Sequence, residues 1–272
     1  MDTHRVTKEC LERKVASAWG RYKAIIAGQL QSDEAPGFIY RGQRKNWPLE
    51  TSFQRLSKKT GMTMADYLVC LDKVSYYAGA TDDKYIDLSN QVEFGSFLGR
   101  LQHHGYPTPL LDWTHSPYIA AYFALKDTEP GDTDAVRIDI FAFNRWEKRF
   151  DQPLNLMNPK PFVSVFRPFV TQNPRMLPQR SITLMTNVAD IGEHLIARGT
   201  ECDETFLNTI YIPVSERKQI MRELDLMGIN SMTMFPGFDG LCAAMKEQHF
   251  NDHDVNYSAK PLQATGLLSK GS

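Results

Sequence analysis

Residues 101–125, reading LQHHGYPTPLLDWTHSPYIAAYFAL, constrain the fold of this chain more than any other stretch. Ser116 followed by Pro117 is a strong helix start, a hydroxyl at the cap and a proline in the first turn. The run from Tyr118 to Leu125 is almost wholly apolar, so a helix there must be buried. Its alanines permit close approach to a sheet, which the rest of the chain has to supply. The start of such a helix directs free amide donors and a partial positive charge at the preceding loop. That makes it a seat suited to an anionic group. The loop itself gathers polar and aromatic residues, and Asp112, Trp113 and Thr114 stand at the rim of the seat.

Periodicity supplies the remaining elements. Residues 8–31 place Val15, Trp19, Tyr22 and Ile26 at near-helical spacing. Phe38-Ile39-Tyr40 is β-prone and runs into Arg41-Gly42-Gln43. Helices are expected over 64–78, where Thr63 caps, over 88–101, over 215–227, and over 239–246. The 215–227 helix has Arg217, Lys218 and Arg222 on its polar side, with Gly228 after it. Residues 135–144 alternate as a half-buried strand does, and 181–186, 206–212 and 229–235 are further strand candidates. Residues 152–178 look like a long irregular connection. The order implies an α+β fold with a mixed sheet. An N-terminal helical segment (1–35), a main domain (36–250) and a C-terminal tail (251–272) are the expected units.

Charge and cysteine usage narrow the chemistry. The 272 residues hold 31 Lys+Arg against 32 Asp+Glu, a net charge of -1. Bulk duplex binding calls for a basic excess that is missing, whereas handling one strand in a local groove does not. Cys10, Cys70, Cys202 and Cys242 are scattered, which fits free thiols in a reducing compartment better than disulfides or zinc. The charged N-terminus has no apolar core of a signal peptide, and no stretch is long and apolar enough to span a bilayer. A cytoplasmic location is expected, with no membrane partner. There is no P-loop, no G-x-G-x-x-G turn and no G-x-S-x-G elbow. His103, His104 and His115 match no metal-ligand spacing, so no metal is expected and a hydrogen-bonding histidine at a ligand rim is preferred.

Arginine at the end of a strand offers a planar fork of donors suited to phosphate, and a following glycine lets backbone approach closely. Arg41-Gly42 has that form, although a tripeptide alone fits an ordinary ion pair beside a turn equally well. Asp112 is placed to orient His104 or a ribose hydroxyl, or to pair with Arg41. Trp113 is expected to fill the core, with stacking on a flat ring as the alternative.

The pairing of Tyr40-Arg41-Gly42-Gln43 with the 101–117 motif and its Ala/Phe-rich helix resembles the FRG domain, a bacterial family named for its (Phe/Tyr)-Arg-Gly motif. The likeness extends to Asn173-Pro174-Arg175 with Gln179, and to residues 235–241. It is similar in turn to the arginine-type ADP-ribosyltransferase fold. That resemblance implies NAD as co-substrate, with Arg41, Ser116 and Gln179 as catalytic positions. It implies a binding set of Tyr40, Arg41, Gly42, Gln43, His104, Thr108, Asp112, Trp113 and Thr114. Where those enzymes carry a glutamate at the head of a strand, this chain has Gln179, which bonds hydroxyls but is no general base. Glu201, Glu204 and Asp239 are secondary candidates for the acid. The implied activity is mono-ADP-ribosylation of a macromolecule, RNA among the acceptors, by a bacterial toxin or phage-defence effector restrained by an antitoxin protein. A non-catalytic nucleotide- or nucleic-acid-binding module and a nucleotide glycohydrolase stand as alternatives.

Overall fold

A computed structural model of the chain describes residues 17–32, 37–128, 131, 133–168, 175–247 and 249. Residues 8–16 of the expected first helix, Cys10, Asn173, Pro174 and the 251–272 tail lie outside the described residues. Helix α1 (Ala18–Gln31) is followed by strand β1 (Ile39–Gln43). Three helices come next: α2 (Ser52–Thr60), α3 (Met64–Asp82) and α4 (Gln91–His103). Strand β2 (Leu110–Thr114) leads into helix α5 (Pro117–Leu125). Strand β3 (Ala135–Phe141), helix α6 (Phe143–Arg149), and strands β4 (Val163–Phe166) and β5 (Ser181–Thr186) follow. Helix α7 (Ile191–Cys202), strand β6 (Leu207–Pro213) and helices α8 (Arg217–Leu226), α9 (Ser231–Met234) and α10 (Phe238–Lys246) complete the order.

The α+β expectation holds. The six strands form one sheet in the order β4-β5-β2-β1-β3-β6. Every pairing is antiparallel, so the expected mixed sheet is corrected. The expected strand over 229–235 is the short helix α9. Asn230 accepts from the Thr233 amide while Thr233 Oγ1 accepts from the Asn230 amide, and this reciprocal cap turns the chain into a helix. The irregular connection contains β4, and the polar loop before Ser116 contains β2. Helices α2, α6 and α7 come in addition to those expected. Thr51 with Gln54 forms a capping box at α2, and Asp190 caps α7.

Side-chain alternation divides the core between the two sheet faces. On one face, Ile39, Leu111, Trp113, Phe141, Ile182 and Leu184 pack with Trp146 of α6 and with Ile191 and Leu195 of α7. The other face carries two separate clusters. Tyr40, Ile138 and Ile140 lie under α5 with α1 and α8, while Leu110 and Met185 pack against α2, α3 and α4. Among the described residues, the two clusters leave a gap between them on this face.

The same line marks a weakness in the sheet. Strands β1 and β3 are in register from Ile39 to Gln43, and β2 and β5 from Leu110 to Thr114. Strands β1 and β2 meet only at Tyr40 and Thr114.

Candidate nucleotide cleft

A cavity of about 240 Å³ occupies the gap between the two clusters. Its floor is Asp112 of β2 with Ser181 and Thr183 of β5. One wall is Gly99, Gln102 and His103 of α4; the other is Phe123 of α5 with Phe235. Arg175 and Gln179, from the turn before β5, line it as well. Strand alternation explains the floor: Asp112 projects to this face while its neighbours Leu111 and Trp113 enter the opposite core.

Asp112 is exposed to solvent, yet enough protein surrounds it that burial pushes its carboxyl above the usual carboxylate value. Accessibility and desolvation disagree in this way at the bottom of a concavity, where water reaches a group otherwise enclosed by low-dielectric material. Three groups act against the shift: the Arg41 charge, the Gln102 amide, and the Thr183 hydroxyl, whose Oγ1 lies 3.5 Å from Asp112 Oδ1.

Arg41 reaches this floor from behind. It sits opposite Asp139 in the β1–β3 register, alternating with Tyr40, which faces α5. Its Nη1 donates to the main-chain oxygen of Asp112 at 2.5 Å, across the seam where β1 and β2 part. Its Nε is buried with no hydrogen-bond partner among the described residues. Burial lowers the guanidinium pKa, and the Asp112 and Asp139 carboxylates oppose that shift. Arg41 therefore props the strand that carries Asp112 and is not itself part of the cavity lining.

Gln179 is held on three sides. Its amide N–H donates to Arg175 O at 3.1 Å, its Nε2 donates to Met234 O at 2.9 Å, and its carbonyl accepts from Thr114 Oγ1 at 2.7 Å. Phe235, beside Met234, stands edge-on to Phe123 with centroids 6.0 Å apart and planes at 88°. Arg175 lies over the Phe235 ring at 5.3 Å. His103 shares the cavity with Arg175, and burial, Arg175 and His104 hold its pKa below the usual histidine value.

Several expected binding residues serve the fold instead. Gly42 admits α5: a Cβ there would lie 1.8 Å from Ala120 O. Tyr40 donates its hydroxyl to Gln29 Oε1 at 2.8 Å, and burial pushes its pKa up to about 12. Gln43 Nε2 donates to Trp47 O. Trp113 is 3% exposed in the opposite core, as the core reading anticipated. Thr108 is fully buried and donates to Gln102 Oε1. His104 caps the end of α4, outside the lining, where its neighbour His103 takes the expected rim position.

The anion seat at Ser116 is also corrected. The Ser116 hydroxyl accepts from the Ile119 amide, and the Ser116 amide donates to Thr114 Oγ1. The Ile119 and Ser116 amides are thus engaged locally, and the helix start stands apart from the cavity lining. Glu201 is ion-paired with Arg198, and Glu204 lies 3.9 Å from Arg149. Both belong to the α7 side, on the sheet face away from the cleft. Asp239 is exposed in the first turn of α10 and does not line the cavity.

The cleft thus unites Asp112 and Gln179 from the expected set. It adds Gln102, His103, Phe123, Arg175, Ser181, Thr183 and Phe235. Ser181 and Thr183 carried a signal, since polar residues alternate with apolar ones from Ser181 to Leu184. Among the described residues, no group of three His, Cys, Asp or Glu is placed to hold a metal ion, and no helix is long and apolar enough to cross a membrane.

Residues 36–133 match the FRG domain model. The FRG match covers β1, the three helices after it, β2 and α5, and so includes Asp112, Arg41 and both helical walls. Strand β5, the turn bearing Gln179, and Phe235 come from chain beyond the FRG match. No curated protein and no solved structure matches the chain.

Proposed function

We propose that the chain is a cytoplasmic NAD-dependent ADP-ribosyltransferase acting on a macromolecule, with the nucleotide seated in the cleft above Asp112. One observation carries the reading: a solvent-reached carboxylate at the floor of a cleft, ringed by hydroxyl and amide groups. The donor set suits a ribose, whose hydroxyls both donate and accept: Gln102, Gln179, Ser181 and Thr183 surround the carboxylate. The cavity, about 240 Å³, has room for a base and its sugar, with the diphosphate extending toward Arg175 and His103.

NAD would supply a glycosidic bond that breaks with its electron pair leaving on nicotinamide, while an acceptor nitrogen or oxygen bonds the ribosyl carbon and gives up a proton. Asp112 stabilises the positive charge that develops on the sugar, and it does so in partly desolvated surroundings where such stabilisation is strongest. Its raised pKa also suits it to take the acceptor's proton. Arg41 holds the Asp112 backbone still, and Gln179 keeps Phe235 against the cleft through Met234. The same reading makes the chain a toxin or phage-defence effector, with RNA among its acceptors and an antitoxin as inhibitory partner.

Purified protein incubated with labelled NAD and cell extract tests it. Label should transfer to RNA, DNA or protein, and Asp112→Asn should abolish the transfer. Absence of transfer together with absence of NAD binding by calorimetry overturns the reading. A second reading, a nucleotide-binding module without turnover, is favoured by Gln179 standing where the resembled enzymes carry an acid. NAD binding with no product would select it, and free ADP-ribose with no modified acceptor would select a glycohydrolase.

A further inference from the structure

Helices α8, α9 and α10 surround a second cavity, of about 400 Å³, which shares no lining residue with the cleft above Asp112. One side of it is apolar: Met221, Ile229, Met232 and Met245. Three of these are half-buried and Met232 is 44% exposed, so apolar surface here stays in contact with water. Methionine is unbranched and polarizable, and it adapts to ligands of varied shape. In size, and in its pairing of an apolar wall with a few polar groups, the cavity falls in the range of small-molecule sites.

The polar side is built on α8 and on the chain just after α10. Arg217 serves the fold there. Its Nε donates to Leu125 O at 2.9 Å, and its Nη2 to Lys126 O at 3.2 Å and to Glu247 Oε1 at 3.0 Å. With Arg217 and Glu247 balancing each other, Lys218, Arg222 and Asp225 set the charge of the lining, two cations against one carboxylate. Lys218 and Arg222 are both exposed and stand four residues apart on α8, so they share one side of the helix. Asp225 accepts from Asn230 Nδ2 at 2.8 Å, which ties it to the α9 cap.

We propose that this cavity binds a small amphipathic carboxylate, with its apolar body among the methionines and its head group at Lys218 and Arg222. Covering the half-buried apolar wall with a hydrocarbon chain removes both surfaces from water and supplies the attraction. The head group is set by charge. One carboxylate matches a surplus of one positive charge, a neutral molecule gains nothing from the two cations, and a dianion meets Asp225. The site stands whether or not the cleft holds NAD, because no residue is common to the two.

Calorimetry of the full chain with octanoate, octanol and octyl phosphate, each below its aggregation threshold, provides the test. Octanoate should bind one to one, octanol about tenfold more weakly, and octyl phosphate no more tightly than octanoate. Lys218→Gln combined with Arg222→Gln should erase the preference for octanoate over octanol. Met232→Gln should weaken both probes alike, by about threefold or more. Octanol bound as tightly as octanoate, octyl phosphate bound more tightly than either, or a preference undiminished in the double variant overturns the proposal. Methionine-methyl NMR of the wild type decides without reliance on any variant's folding. Octanoate should shift the Met221, Met232 and Met245 signals and leave in place that of Met185, which is buried in the cluster over β2 and β5. Shifts at none of the three overturn the site. Association with anionic phospholipid vesicles, without octanoate binding, would assign the surface to a membrane and overturn it equally.

Discussion

Two halves of one sheet face meet at the seam between β1 and β2, and they are finished in opposite ways. Over β1 and β3 the face is sealed. Gly42 has no side chain, and Ala120, Ala121 and Ala124 let α5 lie directly on the strand. Over β2 and β5 the corresponding positions are Asp112, Ser181 and Thr183, and the face is left open as the floor of a cleft. Small apolar residues gain more from contact than from water, whereas a carboxylate and hydroxyls lose hydration that only a well-placed partner replaces. The comparison teaches that adjacency in a motif is not shared duty. Arg41 and Gly42 are neighbours, but the glycine serves the sealed half and the arginine props the open one.

The largest stability effect should come from breaking the seal. Gly42→Ala drives a methyl into the Ala120 carbonyl and should cost about 3 kcal/mol or more, read by denaturant unfolding. A fully stable Gly42→Ala would mean that α5 does not rest on β1. On the open half, Asp112→Asn should lower transfer by about a hundredfold or more, while stability changes by no more than about 1 kcal/mol. A large loss of stability instead would assign Asp112 to the fold and leave the cleft without its central group.

A smaller effect is expected where the two halves touch. Ser116→Ala removes the α5 cap and should cost about 1 kcal/mol, with NAD affinity measured by calorimetry unchanged. Lost affinity in a stable variant would return the helix start to the binding site. The smallest effect is a slope. Burial holds the Asp112 carboxyl above its ordinary value, so the folded chain binds that proton more readily than the unfolded one. Stability attributable to Asp112 should therefore fall as pH rises from the ordinary carboxylate range through the raised value. Urea unfolding at stepped pH should show this fall in the wild type and its loss in Asp112→Asn. Parallel curves for the two proteins would contradict it.

Much of the sealed half was legible in the chain. The helix over 117–125, its Ser116 cap and its burial follow from local chemistry, and so does the burial of Trp113. The open half was legible only in part. Asp112 stood out, but β2 was hidden because its Leu-Leu-Asp-Trp-Thr run is short and lies among turn residues. The partners of Asp112 come from α4, β5 and the turn before β5, which no local pattern brings together. The anion seat failed for a related reason. A capped helix looks the same in sequence whether its start lines a ligand site or, as here, stands apart from the cavity with the Ile119 amide bonded to Ser116 and the Ser116 amide to Thr114. The short helix α9 was read as a strand because its apolar residues gave no weight to the Asn230 cap.

The order β4-β5-β2-β1-β3-β6 bears on how the protein comes into being. Apart from β4 with β5, each strand waits for a partner far along the chain: Tyr40 for Thr114, Ile39 for Phe141, Val136 for Ile212. Contacts of that kind close large loops before any reward arrives, and they make folding slow. During synthesis β3 keeps one edge bare until Leu207–Pro213 has been made, and a bare edge invites pairing with other chains. The nascent chain is thus vulnerable until β6 has emerged, and cooler expression, which weakens apolar association between chains, should favour recovery of native protein.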